Sequence, residues 1–166
     1  PFQPRVCIED AIRLLEHQFA SRNISVTIIC PKEADIFLNA YQNEFKQVVL
    51  NLLSNARDAI LDRRAAFGGP EIGLIEVSFS LSSKNTWVLD IRDNGIGIPE
   101  DVATRIFDHY FTTKEDRGGS GIGLYISRMI IVESLKGRIS LAQSKDGATF
   151  RIELPLEEES WKNLRT

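Results

Sequence analysis

Four polar side chains, Gln47, Asn51, Asn55 and Asp58, recur every three or four residues through a stretch otherwise filled by Val48, Val49, Leu52, Leu53, Ala56 and Ile60. On a helix these four fall within a wedge of about 80°. A face turned to water ordinarily carries Lys, Glu and Arg, which favour helices; the amide of asparagine instead competes with the backbone for hydrogen bonds. Two short amides four apart suit a face that lines a cavity. Each offers a carbonyl oxygen to a hard cation and an NH2 group to a phosphate oxygen. An amphipathic helix with its polar side in solvent is the plainer alternative.

A second candidate lies in "WVLDIRDNGIGIP". Strand alternation puts Trp87, Leu89, Ile91 and Asp93 on one side, and Val88, Asp90 and Arg92 on the other. Asp93 therefore ends an apolar face, where a carboxylate without donors is costly. An Asp beside Asn-Gly also initiates turns. Gly95 and Gly97, alternating with Ile96 and Ile98, thin the backbone for close approach of a flat apolar group. A purine fits: it stacks on the isoleucines while its exocyclic amine donates to Asp93. Guanine, with a carbonyl at that position, would be refused.

Third, "RGGSGIGLYIS" sets Gly118, Gly119, Gly121 and Gly123, with Ser120 among them, directly before an apolar helix. Glycines at a helix start expose backbone N–H groups to an anion. Neither a P-loop nor a dinucleotide turn is spelled here, and a flexible loop would show the same glycines. Just upstream, "IFDHYFTTK" brings Phe107 and Phe111 four apart, followed by Thr112, Thr113 and Lys114. Such a segment could anchor a mobile lid and present hydroxyls and an ammonium to phosphates. A plain amphipathic turn would also account for it.

These groups need a scaffold. The spacing of Ile8, Ile12, Leu15 and Phe19 predicts a helix over residues 8–20, and the amide stripe one over about 42–61. "ISVTIIC" and "ADIFLNA" read as strands broken by Pro31. The alternations at 75–81 and 87–91 predict a hairpin. A helix through "GLYISRMIIVESL" ends near Gly137, followed by strands "RISLAQ" and "ATFRIELP". Late strands in antiparallel pairs predict an α+β fold, a two-layer sandwich of one mixed, mostly antiparallel sheet with helices on one face.

At 166 residues and 43% hydrophobic content the chain suits one globular domain, here residues 1–156, with a polar tail at 157–166. Its net charge of -3 argues against a nucleic-acid binder. Cys7 and Cys30 follow no metal or redox spacing and read as buried free thiols in a reducing compartment. No apolar run approaches the ~20 residues of a membrane span. The opening "PFQPRV" equally fits the cut edge of a longer protein.

Taken in order, "NLLSNARDA", "DNGIGIP", "FDHYFTTK" and "GGSGIGL" resemble the N, G1, F and G2 boxes of the catalytic, ATP-binding domain of sensor histidine kinases. "NARDA" with "FTTK" resembles the nitrogen-regulator subgroup. The resemblance covers nearly all of residues 8–155 and implies the Bergerat sandwich, also found in DNA gyrase, mismatch-repair ATPases and the large heat-shock chaperones. It implies ATP and Mg2+ as cofactors, with Asn55 as the metal ligand and Asn51 on a phosphate. Asp93 would receive the adenine amine, with Gly95, Gly97 and Ile98 shaping the pocket wall and Thr149, in "GATF", near the adenine. Gly119, Ser120, Gly121 and Gly123 would line the phosphates with Leu124 behind them. Phe107 and Thr112 would belong to the same nucleotide-binding lid segment, and Thr113 and Lys114 would reach toward the terminal phosphate only when it closes.

Two departures from the family pattern stand out. Asp58 occupies a position where many sensor kinases carry Lys, so phosphate charge must be met elsewhere, with Lys114 a candidate. His109-Tyr110 replaces a common Pro-Phe pair. Neither His109 nor His17 has the setting of an acceptor histidine. The hydrolysing branches use a Glu four residues before the metal-binding Asn, and here that residue is Asn51. The resemblance thus implies transfer to a histidine on a dimerisation domain outside this chain, then to a response-regulator aspartate, in a homodimeric parent. A cytoplasmic site is expected, free or as part of a membrane sensor. A slow ATPase and a silent adenine-nucleotide sensor are the alternatives.

Overall fold

The computed structural model describes residues 1–82, 85–111, 121–143 and 146–156. Five strands form one sheet in the order β1-β2-β3-β5-β4: β1 Ile24–Ile29, β2 Gly73–Ser82, β3 Thr86–Asp93, β4 Arg138–Gln143 and β5 Ala148–Pro155. Only β1 and β2 run parallel, joined across the long helix α2, Gln42–Phe67. The other neighbours are antiparallel, and β4 and β5 have the bounds that their alternation predicts. The sheet is mixed and mostly antiparallel, with helices against one face, as expected.

Alternation along the strands sorts the two layers. Ile75, Val77 and Phe79, then Trp87, Leu89 and Ile91, then Phe150, Ile152 and Leu154 are buried. Glu76, Ser80, Arg92 and Arg151 are exposed on the other face. There Arg151 donates Nε and Nη2 to the two Asp90 oxygens at 2.8 and 2.7 Å, across a registered pair of β3 and β5. α2 packs on β2 and β3 and touches both α1 (Pro4–Ala20) and α4 (Gly123–Met129).

Three boundaries differ from expectation. α1 begins at Pro4, because proline suits a first turn whose N–H has no helical partner anyway. α2 runs six residues past Leu61 to a left-handed cap at Gly68, whose N–H bonds the Arg64 carbonyl. Arg64 holds that exposed end by donating to the Pro70, Glu71, Arg22 and Asn23 carbonyls. Residues 34–40 are not a strand of the sheet. A 3-10 turn at Lys32–Ala34 leads into extended chain whose one bridge is Leu38 with Phe2. Their alternating burial is genuine, with Ala34, Ile36 and Leu38 inside. Alternation reports one buried side and cannot report a missing neighbour. Trp87 Nε1 pins this segment by donating to the Ala34 carbonyl at 3.0 Å.

The short helix α3, Glu100–Ala103, follows Pro99. α4 continues as a π-helical turn over Ile130–Ser134 before β4. Cys7 is fully buried and its thiol faces the Gln42 carbonyl, whereas Cys30 is half-buried; both are free. Burial pushes the Cys7 thiol up to about 11. Unfolded, it ionises near the ordinary value of 9.0, so between those values only the unfolded state loses its proton and folding weakens as pH rises. The stability margin of the native chain over Cys7→Ala should shrink by about 2–3 kcal/mol from pH 8 to pH 11. Denaturant titrations of both at the two pH values check this, and a constant margin contradicts it.

Candidate nucleotide site

The amide stripe of α2 does face a cavity. It has a volume of about 450 Å³, and Asn51, Ser54, Asn55, Asp58, Ala59 and Asp62 form one wall. The twelve residues from Asn51 to Asp62 span roughly 16 Å of helix, and chemistry changes along that length. Amides and a hydroxyl occupy the N-terminal half; carboxylates occupy the C-terminal half. The cavity thus offers neutral hydrogen-bonding groups at the Asn51 and Asn55 end and negative charge at the Asp58 and Asp62 end.

The opposite end is built around Asp93, only 3% exposed at the end of β3. The Gly95 N–H donates to its Oδ1 at 2.7 Å and the Ala148 N–H to the same oxygen at 3.4 Å. These are the donors that a carboxylate on the apolar face requires. The loop after β3 is clasped to α2, since Ile96 N–H donates to the Ala59 carbonyl at 2.9 Å. A Cβ on Gly95 would lie 2.6 Å from Ala59 Cβ, so only glycine lets helix and loop meet. Gly97, Ile98 and Pro99 continue the wall, followed by Val102, Ile106 and Phe111.

α4 closes the amide-lined end. Gly121, Gly123 and Leu124 line the cavity, and Gly123 sits so close to the Asn51 amide that a Cβ would overlap its oxygen. Asn51 Nδ2 donates to Ser127 Oγ at 2.9 Å. The structure thus gathers Asn51, Asn55, Asp93, Gly97, Ile98, Gly121, Gly123 and Leu124 around one space, with Gly95 directly beneath Asp93.

Two expected residues stand apart from the cavity. Phe107 instead meets Phe150 edge-on, ring centroids 6.2 Å apart, and supports the wall from behind; Ile106 and Phe111 take the lining position. Thr149 is half-buried between Ala148 and Phe150, which both line the cavity. Period-two alternation sends Thr149 to the opposite face, in register with Arg92 and Ala142. Thr112, Thr113, Lys114, Gly119 and Ser120 lie outside the described residues.

Asp58 accepts from its neighbour Arg57, Nε at 2.9 Å and Nη2 at 2.7 Å. Arg57 also donates to Gln18 Oε1 on α1. His109 is exposed, with its ring against Tyr110 and Tyr125. Sequence reasoning missed Ser127, Gly147, Ala148 and Phe150. "DGATF", an Asp-Gly turn feeding a strand, carried a signal for the last three. Ser127 carried only a faint one, a small polar residue on the stripe of Gly123 and Ile131.

Fold and site together define an adenine-nucleotide domain of the ATPase–kinase sandwich type. Over residues 40–158 the chain matches the family of histidine kinase-, DNA gyrase B- and HSP90-like ATPases, and it belongs to that family. It is 33% identical over 159 residues to the two-component sensor PprA of Pseudomonas aeruginosa, covering 94% of this chain and 16% of that protein. The C4-dicarboxylate transport sensor protein DctB of Rhizobium meliloti is 34% identical over 93% of this chain and 23% of its own length. The chain therefore spans about a fifth of these curated relatives. Among solved structures, the nucleotide-free catalytic domain of the histidine kinase ThkA matches with a TM-score of 0.78 at 28% identity, covering 93% of each chain. A complex of ThkA with the response regulator protein TrrA matches with a TM-score of 0.75 at 26% identity, over 95% of this chain and 42% of that one. Among the described residues no helix is long and apolar enough to cross a membrane.

Proposed function

We propose that residues 1–156 are the catalytic domain of a sensor histidine kinase of the nitrogen-regulator type, binding Mg-ATP with its adenine on Asp93 and its phosphates between α2 and the glycine segment. The observation that carries this reading is the buried Asp93 carboxylate, held by two backbone N–H groups in the wall of a cavity whose far end is lined by neutral amides. A carboxylate so placed accepts from an exocyclic amine. A neutral, amide-lined end accepts polyphosphate without like-charge repulsion. Asn55 offers a hard oxygen in that wall, the donor type Mg2+ takes. Asn55 would hold the ion there, and the charge it supplies would offset that of the phosphates.

Asn51 separates transfer from hydrolysis. Its amide nitrogen has no available lone pair to take a proton from water, and one of its hydrogens is already given to Ser127. Water at this position goes unactivated. Phosphoryl transfer needs less, because positioning and charge neutralisation dominate it. An imported imidazole nitrogen attacks the γ-phosphorus as the bond to the β–γ bridging oxygen breaks, and ADP departs. We assign that imidazole to a dimerisation domain of the same homodimeric parent. The phosphoryl group then passes to a response-regulator aspartate. ThkA, solved with its response regulator, supports a partner of that class.

Calorimetry with ATP and ADP, with and without Mg2+, tests the binding half. Heat from both nucleotides is expected, with a metal-dependent increment that Asn55→Ala removes; no heat at saturating metal overturns the reading. The transfer half is tested by adding a dimeric histidine-bearing helical domain and labelled ATP. Label on the added domain with little free phosphate is expected. Steady phosphate release without labelling would favour a slow ATPase, and binding without either reaction a nucleotide sensor.

A further inference from the structure

Among the described residues two polar side chains are buried, Asp93 at 3% exposure and Ser127 at 1%. Asp93 lines the cavity itself, whereas Ser127 reaches it through Asn51, which lines it. Asp93 ends the apolar face of β3; Ser127 lies on α4, one turn past Gly123 and behind Asn51. A buried hydroxyl persists where it serves a hydrogen bond, and this one accepts from Asn51 Nδ2 at 2.9 Å across 76 positions of sequence.

The contact grips a single amide at both ends. Its NH2 group is on Ser127, and its oxygen lies against Gly123, where any side chain would overlap it. Asn51 is only half-buried and borders the cavity. Without a partner on its nitrogen, the amide could rotate about its last torsion at little cost, because that torsion is broad and the two ends are nearly equal in size. With Ser127 in place one amide hydrogen is committed and the plane is fixed. The same contact ties α2 to the second turn of α4, one turn past Gly123.

We propose that Ser127 is a positioning residue for the phosphate end of the nucleotide, acting entirely through the Asn51 amide. The proposal rests on the assignment of phosphates to that end. Asp93 fixes the adenine by direct contact; Ser127 sets, one residue removed, what the phosphates and their metal meet. Each buried polar group governs one end of the ligand.

A double-mutant cycle tests it, with Ser127→Ala, Asn51→Ala and the pair, each checked for an unchanged circular dichroism spectrum. Ser127→Ala should weaken Mg-ATP binding about tenfold, as when a half-buried amide loses its partner. Adenosine, which carries no phosphate, should bind within twofold of the native chain. Once Asn51 is alanine, replacing Ser127 should cost nothing more. Ser127→Thr, which keeps the hydroxyl, should restore most of the Mg-ATP affinity if its added methyl is accommodated, as its thermal midpoint will report. Equal losses for adenosine and Mg-ATP would mark Ser127 as merely structural and overturn the proposal, as would additive losses in the pair. A native chain that binds adenosine but gains nothing from phosphates would sink the assignment beneath it. Normal Mg-ATP binding by Ser127→Ala would sink the proposal alone.

Discussion

Asp93→Asn should lower affinity for adenine nucleotides by roughly 1–3 kcal/mol, about 5- to 150-fold. The substitution preserves shape and removes one acceptor. In the native chain Oδ1 serves Gly95 and Ala148, while the carboxylate as a whole borders the cavity. An asparagine has one oxygen for both duties. Kept on the two backbone N–H groups, it turns its NH2 toward the adenine amine, and donor meets donor. Turned toward the ligand, it points NH2 at two buried N–H groups, and the fold bears the cost instead. Affinity from calorimetry and the denaturation midpoint, measured on the same preparation, should together show the loss. Intact affinity with intact stability would remove adenine from this end of the cavity. Selectivity adds a second reading. A guanine carbonyl opposes the native carboxylate but accepts from an amide, so the ratio of ATP to GTP affinity should narrow in the variant.

How far the sequence carried this site depended on whether its determinants were local. The amide stripe was legible because both amides sit on one helix at helical spacing. Asp93 was legible because a charge at the end of an apolar alternation breaks its own pattern. Partners were another matter. The alternation demanded a donor for Asp93 without naming Gly95 or Ala148, the second of which comes from a strand 55 positions away. Thr149 was placed one residue off the cavity, since a motif match carries no phase, while strand period assigns inner and outer faces strictly. Phe107 and Phe111, four apart, looked interchangeable as lid anchors, and only packing against Phe150 puts the first behind the wall. At 34–40 a true burial rhythm suggested a strand that the sheet does not contain. The exposed end of α2 escaped because helix beyond Leu61 rests on Arg64 and the Gly68 cap rather than on an apolar stripe.

Gly147→Ala should cost more than any glycine replacement made in open surroundings, and it should damage one end of the ligand site selectively. Gly147 has φ +84° in the turn before β5, and a Cβ there would overlap the Asp93 carbonyl oxygen. Gly68, with φ +74° and nothing within 4 Å of an added Cβ, provides the comparison. Both variants incur the left-handed backbone penalty, about 1–2 kcal/mol for a residue with a Cβ. Only Gly147→Ala must also move backbone, either the end of β3 or the start of β5. Moving either pulls Ala148 N–H away from Asp93 Oδ1, a contact already 3.4 Å long. The expected stability loss is therefore about 3 kcal/mol or more for Gly147→Ala against about 1–2 for Gly68→Ala, read from denaturant midpoints. Adenosine affinity should fall with the first and stay level with the second. The increment that Mg2+ adds to ATP binding should survive in both, because Asn55 lies on α2, away from the displaced strands. Equal stability losses would mean that the approach of Gly147 to Asp93 costs nothing to relieve. The adenine end would then owe its shape to Gly95 and α2 alone.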